Sequence, residues 1–307
     1  MYDVDKILIK NNNYHKIAKY ELFCTLVLMC PLLLLALMFD GSVWTIALGR
    51  KNVYYIHYYV DFLIDWTVVL QFMACVKFLK DRFQILNDTI GELLQTRLNS
   101  VQDATIHNLE EHLASLTRAK CTCEKIRVSY WTHKDILRYN LAHDMLCEAA
   151  KLIISIYEIQ IFLSTICCFL SITLWLYFGL CYFYGYENTN GFDVLYVLTA
   201  DVLMAIVNVI KLACICLPSY KANCEIGSTV TILRKLLLFR DIETSSLREI
   251  QNFLQQAVLR QFKLSALGFL NLDLSLFCSV IGGVITYLVI LQQFLLSSRT
   301  TETHSLH

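Results

Sequence analysis

The chain has 307 residues, of which 56% are hydrophobic and only 17% charged, with a formal net charge of zero and a mean hydropathy of +0.51. Soluble domains average about a quarter charged residues, so this composition excludes a disordered chain and argues against a water-soluble enzyme, while zero net charge gives no pull toward nucleic acid. Two prolines and ten glycines leave little for all-β turns, and the apolar runs are too long for porin-type alternation, so the expected class is an all-α membrane protein.

Five stretches are long enough, at roughly 20 residues each, to cross a bilayer core. They are Leu22 to Phe39, with Pro31 as a kink, Val53 to Leu79, and segments within Leu152 to Tyr184, Phe192 to Leu217 and Leu264 to Leu296. No small-residue cleavage site follows the first, so it reads as a span and not a signal peptide. The expected fold is a multi-spanning helical bundle with about five transmembrane helices and a helical cytoplasmic platform. Its segments are 1–79 (a cytoplasmic N-terminus and two spans), 80–150 (cytoplasmic amphipathic helices), 151–217 (two spans), 218–263 (cytoplasmic helices), 264–296 (the last span) and an outer tail, 297–307.

Between the second and third spans, Phe83, Leu86, Ile90, Leu93, Leu94 and Leu98, then Ile106, Leu109, Leu113 and Leu116, recur at three- and four-residue steps. This spacing predicts at least two amphipathic helices, with a third from Ile126 to Ala150 leading into the next span. Asn87-Asp88-Thr89 has the form of a glycosylation triplet but falls on the side expected to be cytoplasmic, and Thr89-x-x-Glu92 reads better as a capping box.

Lysine and arginine distribution sets the topology. The first 20 residues hold four, Lys77 to Lys151 holds eleven and Lys211 to Lys263 holds eight; together these are 23 of the 26, and the other three lie at Arg50, Lys51 and in the tail. The positive-inside rule therefore places the N-terminus and both long loops in the cytoplasm and the C-terminus outside, as in a multi-pass protein of the plasma membrane.

Catalytic signatures are missing: there is no Walker loop, GxGxxG, HExxH, GxSxG or paired CxxC. Most of the 13 cysteines lie in apolar runs, and Cys121-Thr-Cys123 has no second ligand pair, so neither metal nor cofactor is expected. His107, His112, His133 and His143 are scattered without ligand spacing and read as solvated surface. What stands out is polarity inside the spans, which is costly and hints at function. His57, Asp61 and Asp65 share one face of the second span, with Trp66 adjacent and Tyr58 at its outer end, which reads either as the wall of a small-molecule ligand pocket or as a water-facing vestibule with an interfacial aromatic belt. Trp175, Tyr182 and Asp201 on the third and fourth spans are placed to face the same cavity, although helix-to-helix hydrogen bonding accounts for each singly.

In the last span, Thr286-Tyr287, five residues, then Gln293-Phe294 matches the TYxxxxxQF signature that ends insect gustatory receptors. The upstream run from Phe262 to Asp273 also resembles their last cytoplasmic turn, and the topology is similar. The resemblance covers nearly the whole chain. Those receptors carry seven spans, so the five here correspond to their third through seventh, with the first two absent and orientation preserved. The chain then reads as a truncated product, an incomplete gene product or a diverged receptor.

The resemblance implies a taste receptor that acts as a ligand-gated, non-selective cation channel. It would be a homo- or hetero-tetramer with other gustatory receptors, binding a small-molecule tastant amid membrane lipids, with the final helix of each subunit lining one pore. Thr286, Ile290, Gln293 and Ser297 then form the pore stripe, with Phe294 beside them; read alone, the stripe is also compatible with interhelical packing. The second reading is a secondary transporter using intramembrane carboxylates, and a third is a truncated receptor product without channel activity of its own.

Overall fold

The computed structural model describes residues 27, 29–43, 56–116, 133–184, 194–238, 244–260 and 263–305. Among these, α1 (Met29–Val43) is followed by α2 (Ile56–Leu116), α3 (His133–Phe183), α4 (Val194–Leu236) and α5 (Thr244–Leu259). A hairpin of β1 (Ser265–Ala266) and β2 (Leu270–Asn271) then leads into α6 (Leu274–Ser305). The protein is an all-α membrane protein: α2, α3, α4 and α6 are each long and apolar enough to cross a bilayer. The first expected span is seen as the shorter α1, and the start of that span lies outside the described residues.

Two helices run further than the hydrophobic pattern suggests. The amphipathic segments at Phe83 to Leu98 and Ile106 to Leu116 are not separate helices but the continuation of the second span, giving α2 a length of 61 residues. The basic, aromatic segment before the third span is likewise part of α3 from His133 onward. The reason is local. Gly91 is the one glycine in α2 and there is no proline, and Lys80, Asp81 and Arg82, where apolar gives way to polar sequence, are tolerated in helix interiors. A change of solvent along a helix alters its side chains without giving the backbone a reason to stop.

This continuity also overturns the capping box. Thr89 lies inside α2, where its hydroxyl donates to the Ile85 carbonyl at 2.7 Å. Asn87 is buried instead of marking a surface loop.

The chain divides into two compact units, to both of which α2, α3 and α4 contribute. The apolar unit comprises His15–Phe78, Ala150–Ala222 and Lys263–His307. Its largest described cluster joins Leu33, Ala36 and Leu37 of α1 to Phe62 and Trp66 of α2 and to Met204 and Val207 of α4. A second cluster brings Cys168 of α3 and Leu212 and Cys216 of α4 against Leu276, Phe277 and Val280 of α6.

The polar unit comprises Met1–Tyr14, Leu79–Ala149 and Asn223–Phe262. Asn87 ties α2 to α4 there. Its amide nitrogen donates to the Glu225 carbonyl at 2.8 Å and the Ser228 hydroxyl at 2.6 Å, and its amide oxygen accepts from Thr229 at 2.6 Å. His143 corrects the expectation of a solvated surface histidine: it is 2% exposed and stands edge-on to Phe83 and Phe253, with centroids 5.7 and 5.5 Å away. Burial among these rings holds its pKa down to about 4, the Arg260 charge acting in the same direction and Asp144 against it. Arg260 pairs with Asp144 and, at 3.5 Å, with Glu148. The expected solvated face is thus a packed seam, invisible at the level of residue type because histidine is equally at home in both settings.

Candidate functional site

The residues singled out on the second span separate in the fold. His57 and Asp61 are exposed, Asp65 is half-buried and Trp66 is buried. Tyr58 packs between three rings: Phe62 stacked at 6.0 Å, Tyr59 edge-on at 5.6 Å and Trp175 of α3 edge-on at 6.3 Å. Tyr182 packs against Val43, Val197 and Ala200. Asp201 is fully buried beside Gly179 of α3, where an added Cβ would meet Leu198 at 3.2 Å and the Asp201 side chain at 3.8 Å. Glycine is what lets these two helices come so close. Tyr58, Trp66, Trp175, Tyr182 and Asp201 are therefore interior to the apolar unit, while His57 and Asp61 point away from its core.

The strongest polar contact in this unit involves a residue the sequence reading assigned to a loop. Lys211, counted with the cytoplasmic basic residues, is 2% exposed within α4. Its ammonium lies 2.5 Å from Asp65 Oδ2 and 5.1 Å from the Phe62 ring centroid. Removing Lys211 from the tally leaves 22 basic residues on the side expected to be cytoplasmic, against the same three, so the asymmetry survives. One signal was available: a lone lysine between Ile210 and Leu212 in an apolar run, with carboxylates on another span to receive it. A second pair went unnoticed: Tyr59 donates to Asp40 Oδ2 at 2.7 Å, and Asp40 is 1% exposed.

These pairs mean that Asp65 and Asp40 are engaged with the chain itself. Asp65 is neutralised by Lys211, which offsets the cost of holding either charge away from water. Other polar groups differ. Among the described residues, the buried Trp66 indole N–H, the Ser164 hydroxyl and the Asn208 amide oxygen have no hydrogen-bond partner. Trp66 lines a narrow cleft with Met29, Leu32, Leu33, Val207 and Ile210. Among the described residues, no three His, Cys, Asp or Glu side chains converge as a metal site would require.

The last span is arranged differently. Between Leu274 and Ser297 only Val284 and Leu295 are buried. One face meets α3: Tyr287 stands edge-on to Phe169 at 5.6 Å, a Cβ on Gly283 would lie 3.2 Å from the same ring, and Gln292 donates to the Tyr184 hydroxyl at 3.0 Å. The other face carries Thr286, Ile290, Gln293, Phe294 and Ser297, all exposed. The two adjacent glutamines thus divide, Gln292 inward to α3 and Gln293 outward. The Thr286 hydroxyl donates to the Gly282 carbonyl at 2.9 Å, so its own helix satisfies it.

Comparison with known families gives one result that spans almost the whole chain. The family model described as 7tm Chemosensory receptor matches residues 1–298. A search of curated proteins finds no match.

Proposed function

From the membership of this chain in the 7tm chemosensory receptor family, to which the match over residues 1–298 assigns it, we propose that it is a taste-receptor subunit whose final helix lines a ligand-gated cation pathway. Chemoreception by a multi-pass membrane protein is the family's role. Channel activity, a tetramer, a tastant ligand and a cytoplasmic N-terminus with an outer C-terminus are our reading for this chain.

The observation that carries it is the uncovered stripe of α6. Thr286, Ile290, Gln293 and Ser297 lie on a face that their own chain leaves exposed, in a helix otherwise long and apolar enough to cross a membrane. Lipid gains nothing from the exposed Gln293 amide. A water-filled path shared between copies does, with Ile290 as the apolar ring that blocks hydrated cations by dewetting and Gln293 offering amide oxygens one turn further along. Phe294 narrows the same constriction.

Ligand binding falls to the interior of the apolar unit, where Tyr58, Trp66 and Trp175 present aromatic faces and the Trp66 N–H is unsatisfied among the described residues. His57 and Asp61 sit outside that interior. Asp65 holds Lys211 in place there, a positioning role. The same pairing weakens the transporter reading, since a carboxylate already neutralised by lysine at 2.5 Å is poorly disposed to shuttle an ion.

The test is whole-cell current normalised to surface protein. Ile290→Ser should open a leak without ligand, and Gln293→Ala should change conductance or ion preference more than ligand sensitivity. Unchanged leak and unchanged reversal potential in both variants, with a conducting parent, would remove the pore assignment.

A further inference from the structure

The hairpin before α6 is held at both ends. Ser265 pairs with Asn271 and Ala266 with Leu270. At the base the Leu272 N–H donates to the Leu264 carbonyl at 2.9 Å, and at the tip the Phe269 N–H donates to the Ala266 carbonyl at 3.1 Å. Leu267 and Gly268, between Ala266 and Phe269, both have positive φ, 54° and 70°. A leucine in the left-handed region is strained and persists only where its surroundings fix it. Leu264, Ala266 and Leu272 are fully buried, whereas Phe269 is 84% exposed. Immediately afterwards Asp273 caps α6, its Oδ1 accepting from the Leu276 N–H at 3.1 Å. A stiff finger with an aromatic tip is thereby joined to the final helix without a flexible joint.

A side chain so exposed at the end of a strained, hydrogen-bonded turn contributes nothing to packing within its own chain. Lys263 is exposed on one side of the hairpin, and the uninterrupted apolar run of α6 begins on the other, at Leu274, itself 43% exposed. The base of the hairpin therefore stands where the span begins, and Phe269 at the tip lies only three residues from Leu272 at that base.

We propose that Phe269 is an interfacial anchor, inserting into the boundary between headgroups and acyl chains of the bilayer and setting the height of α6 in the membrane. The partner is the lipid surface itself. Aromatic bodies settle at that depth, and Lys263 at the base of the same hairpin can keep its ammonium among the headgroup phosphates while its stem lies along apolar surface. Because the finger is continuous with the Asp273 cap, a change in the interface is transmitted to α6 and not absorbed by a loop. The proposal requires that α6 spans the bilayer; it does not depend on conduction.

The test replaces Phe269 with p-benzoylphenylalanine in the full chain, reconstituted into phosphatidylcholine–phosphatidylserine vesicles and irradiated. The comparison is the same amino acid at Gln255, an exposed residue of α5 in the polar unit. Phospholipid adducts, read by intact mass, should be several-fold more abundant at position 269 than at 255. Equal lipid labelling at the two positions, or crosslinking of position 269 chiefly to a second copy of the chain, would overturn the anchor. Phe269 is exposed, so the substitution leaves the fold intact, and a melting profile matching the parent verifies this before irradiation.

Discussion

Helices α4 and α6 are about equally apolar, yet more than half of the apolar stretch of α4 is buried and almost none of that of α6. Both carry polar residues in their spans. Those of α4, namely Asp201, Asn208 and Lys211, face inward and are fully or almost fully buried, whereas Thr286, Gln293 and Ser297 of α6 face outward. Hydropathy alone makes the two helices equivalent. The difference teaches that an intramembrane polar residue has two possible tasks, holding a subunit together or serving something beyond it, and that its facing decides which.

The comparison is broken most directly at Lys211. Lys211→Met leaves the half-buried Asp65 without its cation and should cost about 1–3 kcal/mol, enough to lower surface expression. The double variant Lys211→Met, Asp65→Leu should recover expression, because it removes both charges. Quantified surface protein distinguishes these outcomes; a failure of the double variant to recover would show that the pair does more than neutralise itself. For the same reason Asp65→Asn should lower expression and not merely shift ligand sensitivity.

The polar unit offers a second inward-facing group, His143. Its pKa in the fold is lowered to about 4, below the unfolded value near 6.5, so the unfolded chain binds the proton more readily in that interval. The stability associated with neutral His143 is fully present above about pH 6.5 and is lost as pH falls toward 4, to a total of about 3 kcal/mol. Apparent melting of the purified protein should fall across that window, and His143→Phe should flatten its pH dependence there. An identical slope in both proteins would assign the acid sensitivity elsewhere.

Asn87 is next. Asn87→Ala leaves the buried Thr229 hydroxyl without its acceptor, while Ser228 keeps its bond to the Glu225 carbonyl, an expected loss of about 1–3 kcal/mol in thermal stability. The smallest and most discriminating effect is between neighbours: Gln292→Ala removes the bond to Tyr184 and should cost about 1 kcal/mol, while Gln293→Ala should be neutral within about 0.5 kcal/mol. Equal destabilisation by both would mean that the exposed face of α6 packs against something structural, and would favour the interhelical reading of the stripe.

Much of this molecule is legible in its residues. Composition and the lengths of apolar runs determined an all-helical membrane protein, because a backbone in lipid must satisfy its own hydrogen bonds within each span. The Thr286-Tyr287 and Gln293-Phe294 pairs pointed to the chemosensory receptors that the family match then bore out. What the sequence did not determine was where helices stop, since amphipathic period changes at Leu79 without any residue that breaks a helix. Nor did it determine which polar residues meet. Lys211 and Asp65 are 146 positions apart, and His143 lies between Phe83 and Phe253 through the packing of three helices. Period and composition are local properties. Pairing of buried charges depends on which helix faces come together, and tertiary structure alone decides that.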